Sequence, residues 1–107
     1  MKILIPGHLY ILANFENPDS PGQTLQFIHK APASNPAAQP GELQTVADGT
    51  TNEEVIKVLV DRLQFLYDKF PSDETACACD HLKEALYALQ SRTYERTQRG
   101  VEGKHLA

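Results

Sequence analysis

The sequence predicts an α+β fold: a small antiparallel β-sheet in the N-terminal part, then two antiparallel α-helices. Three observations carry this expectation. Apolar side chains alternate at Leu9, Ile11, Ala13 and Phe15, as a half-buried strand requires. Thr51-Asn52-Glu53-Glu54 forms a capping-box pattern just ahead of an apolar run with helical period. Pro71 stops that run, and Ser72 is placed to start a second helix.

The elements follow in order. His8–Phe15 is the first strand, although Leu12 on its other face blurs the alternation. Glu16–Gly22 holds two Pro, a Gly, an Asn and an Asp and reads as a turn. Gln23–His29 is the second strand, with Leu25 and Phe27 on one face, so the two runs form an antiparallel hairpin with a loop of about seven residues. Ala31–Gly41 carries Pro32, Pro36 and Pro40 and reads as an exposed, partly extended loop, because proline breaks a helix or a central strand. Glu42–Val46 is a short third strand, and Asp48–Gly49 turns the chain.

The first helix runs from Asn52 to about Lys69. Val55, Leu59, Leu63, Leu66 and Phe70 make one stripe, and Ile56, Val60 and Tyr67 widen it, so burial on more than one side is expected. The second helix begins at Asp73 and reaches about Arg99. Asp73 and Glu74 favour its positive end, Cys79, Leu82, Leu86 and Leu89 form its apolar stripe, and Gly100 is a natural residue to end it. The short link makes the helices antiparallel neighbours.

The length of 107 residues fits a single domain, 1–107, made of a sheet part (8–46), a helical hairpin (51–100) and a tail (101–107). The apolar fraction of 41% suffices for a core, but so short a chain buries little surface alone, and a homo-oligomer built on a dimer is expected. The net charge of −4 disfavours binding to long nucleic acid. The charge is uneven: residues 1–91 carry −6 and residues 92–107 carry +2. The apolar run Ile3–Ile5, cut by Pro6–Gly7, is too short for a secretion signal or a membrane span. Two Cys separated by one residue make no disulfide framework, and the expectation is a soluble protein of a reducing compartment.

Catalytic and metal motifs are nearly absent. The glycines are scattered, no serine sits in a nucleophile elbow, and His8, His29, His81 and His105 lie far apart in sequence. Within Cys77-Ala78-Cys79-Asp80-His81, the two thiols point about 200° apart on a helix and cannot share a metal. Cys77 and His81 could share one, but a structural zinc wants four ligands and no second pair fits. Neither a metal nor a cofactor is expected.

The strongest local feature is Arg92, Arg96 and Arg99, spaced 4 and 3 on one helical face. Guanidinium forks one turn apart can grip a diphosphate, or they can simply complement the helix dipole in a solvated last turn. Phe65 stands off the stripe of the first helix, as either a subunit contact or a stacking platform for a ring.

The arginines sit in, and Phe65 lies between, recurring motifs: Thr51–Val55 (TNEEV), Val58–Leu63 (VLVDRL), Lys69–Pro71 (KFP), Lys83–Leu86 (KEAL) and Arg92–Gly103 (RTYERTQRGVEG). On them, the chain resembles the helical half of the phage Thoeris anti-defence sponge proteins of the first type. The resemblance covers a little over half of the chain, and its arginine-rich ending is the most specific part.

It implies a protein that is not an enzyme. Such a protein binds and sequesters a cyclic ADP-ribose isomer (glycocyclic ADP-ribose) that bacterial TIR-domain enzymes make from NAD, in the cytoplasm of the infected host. It implies assembly through dimers, in some members into hexamers, and in some members cyclic oligonucleotides held at separate sites. Carried over by residue, the stacking aromatic falls on Phe65 and the arginine pair on Arg92 and Arg96, with Arg99 on the same face. Where the family often has Asn, in an E-N-A run, this chain has Thr75, which keeps one donor and acceptor but lacks the second amide donor. Two other readings stand beside this one: a structural or adaptor protein whose apolar faces are oligomer contacts, and a hydrolase or cyclase acting on the same nucleotide.

Overall fold

A computed structural model describes residues 1–35 and 37–100, with five strands followed by two helices. The expected tail, 101–107, lies outside the described residues. The chain divides into two compact units, Met1–Thr51 and the helical unit from Asn52 onward.

The first unit holds two small antiparallel sheets. β1 (Lys2–Ile5) pairs with β2 (Leu9–Ile11), and β2 pairs with β3 (Thr24–Gln26) in the register Leu9↔Gln26, Tyr10↔Leu25 and Ile11↔Thr24. β4 (His29–Pro32) pairs with β5 (Leu43–Ala47). The β1–β2 connection is a tight turn in which the His8 amide donates to the Ile5 carbonyl at 3.0 Å. Pro6 and Gly7 at its centre, with Gly7 at φ +79°, meet the demands of a type II turn. The sheets are joined through Thr50: its amide donates to Gln26 O (2.9 Å), and its carbonyl accepts from Ile28 N (2.8 Å). Side chains reinforce this junction. The His8 and His29 rings stack with centroids 3.7 Å apart, and Tyr10 meets Phe27 edge to face.

Several expectations change here. The Ile3–Ile5 run is a strand, made possible because the Pro-Gly turn folds it onto β2. The first expected strand stops at Ile11; Ala13 and Phe15 are exposed, Phe15 almost fully so at 98%. The β2–β3 connection is therefore twelve residues, not about seven. Asn14 and Asn17 stiffen it, donating to the Pro21 carbonyl and the Ser20 hydroxyl at 3.3 and 3.2 Å. Pro32, expected in the loop, ends β4, which proline tolerates because this strand has a partner on one side only. Among the described residues of the Pro-rich segment, local bonds form: Asn35 Oδ1 accepts from Ala37 N (3.0 Å), and Glu42 Oε2 accepts from Gln39 N (2.7 Å).

The helical unit follows the sequence closely. α1 (Asn52–Lys69) and α2 (Asp73–Gln98) flank the three-residue link Phe70–Ser72. They run antiparallel: Gln64 and Tyr67 share a groove with Ala76 and Lys83, whereas Glu53 and Lys57 share one with Gln90 and Tyr94. The Cys79 thiol lies 3.9 Å from the Val60 carbonyl at mid-hairpin. Ser72 caps α2, its hydroxyl accepting from the Thr75 amide at 3.1 Å. At the far end, Gly100 adopts φ +71° and its amide donates to the Thr97 carbonyl.

The core stripe of α2 forms as expected, with Cys79 buried and Leu82, Leu86 and Leu89 half-buried. The α1 stripe forms in part: Val55, Leu63 and Leu66 are half-buried, as are the widening residues Ile56, Val60 and Tyr67, whereas Leu59 and Phe70 are exposed. No α1 side chain is fully buried; Leu59 is 43% exposed, and Phe70, beyond the helix end, is 78% exposed. With Val58 and Phe65 also exposed, much apolar surface of α1 is uncovered in the single chain. None of the helices among the described residues is long and apolar enough to cross a membrane.

Candidate functional site

Phe65 sits one turn before the end of α1, half exposed at 51%. Lys69, four residues on, lies on the same helical face, and its Nζ stands 4.6 Å from the centre of the Phe65 ring. The Phe-x-x-x-Lys spacing was visible in the sequence, and Lys69 is a neighbour of the candidate site that sequence reasoning passed over. Thr75 lies in the first turn of α2, at the same end of the hairpin as Phe65. Its amide is held by Ser72, and its Oγ1 accepts from the Ser72 hydroxyl at 2.9 Å. One hydroxyl proton of Thr75 remains to donate to another group.

The arginines occupy the opposite end. α2 has 26 residues against 18 in α1, so its last turns extend past the start of α1. Arg92 is exposed there. Arg96, one turn on, is only 7% exposed. A charge that deep needs compensation within the protein, and Arg96 has it. Arg99 falls at the C-cap instead of within the helix, and its Nε lies 3.6 Å from Glu95 Oε1. The common face expected for the three arginines thus holds three different environments: open, buried and ion-paired.

The two halves of the candidate site do not meet on one chain. With a three-residue link, Phe65 is level with about residue 76 of α2. Arg92 is about sixteen residues further along, roughly 24 Å at 1.5 Å per residue. A groove of about 390 Å³ near the arginine end is lined by Glu53, Lys57, Gln90, Thr93 and Tyr94, and one of about 220 Å³ near the other end includes Tyr67 and Asp80. Neither is lined by Phe65, Arg92 or Arg96.

The Cys77–His81 segment is arranged as its helical spacing requires. Cys77 is exposed, Cys79 is buried, and His81 Nδ1 lies 3.6 Å from Glu84 Oε2. Among the described residues, no group of three or more His, Cys, Asp or Glu side chains is placed to hold a metal ion.

A family model described as the Acb2/Tad1 hairpin domain matches residues 33–94. That span includes Phe65, Thr75 and Arg92 and ends two residues before Arg96. Thoeris anti-defense 1 of Bacillus phage SBSphiJ7 is 47% identical to this chain over 60 residues, 55% of this chain and 42% of that protein. The match thus spans less than half the length of that relative. Because the family model covers more than half of the chain, with both helices up to Tyr94 inside it, the chain belongs to the Acb2/Tad1 hairpin family.

Proposed function

We propose that this protein is a phage anti-Thoeris sponge. It binds a cyclic ADP-ribose isomer made by bacterial TIR-domain enzymes and withholds it from the defence effector without cleaving it. In this reading it acts in the cytoplasm of the infected host and is not an enzyme. The observation that carries the reading is the 47% identity to a protein named Thoeris anti-defense 1, together with the family match across Phe65, Thr75 and Arg92.

The chemistry supports it. The ligand offers a base face, hydroxyls and a diphosphate. The exposed Phe65 ring can stack on the base, the Thr75 hydroxyl can donate to an edge, and Arg92 and Arg96 can hold phosphate oxygens. Because the aromatic and arginine ends are too far apart on one hairpin, the site takes Phe65 and Thr75 from one protomer and the arginines from another. A two-fold dimer supplies two such sites by symmetry. The uncovered apolar surface of α1, with Val58 62% and Leu59 43% exposed, supports a partner chain. Larger assemblies and a separate site for cyclic oligonucleotides belong to the same proposal.

The test is to incubate the protein with cyclic ADP-ribose isomers, remove free ligand, denature by heat and identify what is released. Intact ligand is the expected result. A cleaved or rearranged product would make the protein a hydrolase or cyclase, and no uptake would leave the adaptor reading.

A further inference from the structure

Phe65 does not present two equal faces. The Lys69 ammonium stands over one of them, 4.6 Å from the ring centre, leaving the other for a ligand. Lys69 is also the only cation between Leu66 and Ala76, a stretch that carries Asp68, Asp73 and Glu74. Asp68 is engaged by Gln64, whose Nε2 donates to its Oδ1 at 2.9 Å. This end of the hairpin is therefore acidic, and by itself it would welcome a cationic ring. The Lys69 charge lies directly behind the stacking surface.

We infer that Lys69, held over one face of Phe65, makes the other face selective for an uncharged base and hostile to a cationic ring. The inference rests on the reading above, that Phe65 stacks on the ligand's base. Its physical basis has two parts. A ring stacked on the free face would lie about 8 Å from the ammonium, about one Debye length at physiological salt, so the repulsion is felt there and weakens as salt is added. The ammonium also draws on the negative quadrupole of the phenyl ring, the feature that would otherwise attract a second cation. The rings excluded are a pyridinium, as in the oxidised nicotinamide of NAD, and an adenine alkylated at N1, which is cationic near neutral pH. Like-charge repulsion at this distance corresponds to roughly a two- to thirty-fold preference, between fully aqueous and near-surface screening.

The test compares two closed ADP-ribose rings by calorimetry on the full chain. One is closed through a ribose hydroxyl and keeps a neutral adenine; the other is closed through adenine N1 and carries the charge. The parent and Lys69→Arg, which keeps a cation on the ring, are expected to prefer the neutral isomer. Lys69→Met is expected to lose roughly two- to thirty-fold of that preference, through tighter binding of the N1-closed isomer, with the salt dependence of the ratio lost as well. An unchanged ratio in Lys69→Met, while Phe65→Ala weakens both isomers, would overturn the inference and leave the sponge reading standing. Binding of neither isomer to the parent would overturn both.

Discussion

Phe65 and Arg92 stand at opposite ends of one helical hairpin, roughly 24 Å apart along its axis. One small ligand cannot touch both on a single chain, so a site using both is shared between protomers. Complementation checks this. Phe65→Ala and Arg92→Ala should each fail to capture the cyclic ADP-ribose isomer alone. In a mixed dimer, one of the two sites combines an intact Phe65 with an intact Arg92. Random reassortment of equal amounts should restore about a quarter of the parent capacity. Retention of no ligand by the mixture, with subunit exchange verified by mass, would show that each site is built on one chain.

The three arginines should separate in their effects. Arg92 is exposed, so Arg92→Ala removes charge-assisted hydrogen bonds to phosphate, about 1.5–3 kcal/mol, with the melting temperature unchanged. That is roughly ten- to more than a hundred-fold in dissociation constant. Arg96 is buried, and Arg96→Ala should weaken capture and also lower the melting temperature, because its removal strands whatever it pairs with. Arg99 is tied to Glu95 at the C-cap, and Arg99→Ala should have the smallest effect on capture. Titration of ligand against all three, beside thermal melts, checks the order. Equal binding by Arg92→Ala and the parent would reduce the basic turn to a dipole complement.

The hairpin was legible because its signals are local. The Thr51–Glu54 box, Pro71, Ser72 and Gly100 each act within a turn of the boundary they set, and both helices begin where those residues place them. The sheets were less legible because pairing is not local. Nothing within Lys2–Ile5 says that a type II turn will fold it onto β2, and nothing in the proline pattern says that Pro32 will stand on a strand with one neighbour. For the candidate site, helical spacing put Arg92 and Arg96 on one face but could not show that one is open and the other buried. Burial depends on tertiary neighbours that spacing does not name.

The α2 cap gives a stability prediction independent of any ligand. The Ser72 hydroxyl accepts from the Thr75 amide and donates to Thr75 Oγ1. Ser72→Ala should cost about 1 kcal/mol, and Ser72→Gly only a few tenths. Urea melts followed by helical circular dichroism read the difference. Ser72→Ala also frees the Thr75 hydroxyl, so a change in ligand affinity beyond the loss of stability would implicate Thr75 in the site.

Two glycines in the first unit are needed for space. A Cβ on Gly22 would collide with the Leu12 carbonyl group, its carbon 2.8 Å away. One on Gly49 would press on the backbone of Gln26 and Phe27, with Phe27 C at 2.7 Å and Gln26 C at 2.8 Å. In both cases the obstacle is backbone and cannot rotate aside. The Leu12–Gln23 bond that closes the β2–β3 hairpin and the Thr50–Gln26 bond that joins the sheets lie next to these contacts. Gly22→Ala and Gly49→Ala should each destabilise the chain by about 1–3 kcal/mol, as overpacking does. Gly7 is the contrast: its φ is +79°, but a Cβ there would meet open space, so Gly7→Ala carries conformational strain alone, about 1–2 kcal/mol. Asn tolerates that conformation better, and Gly7→Asn should recover part of the loss, whereas Gly22→Asn and Gly49→Asn should recover none. Amide hydrogen exchange localises the effect. Faster exchange at Leu12, Phe27, Ile28 and Thr50, with α1 and α2 protection unchanged, is the expected pattern for Gly22→Ala and Gly49→Ala. Uniform loss of protection across both units would instead mean that they unfold as one.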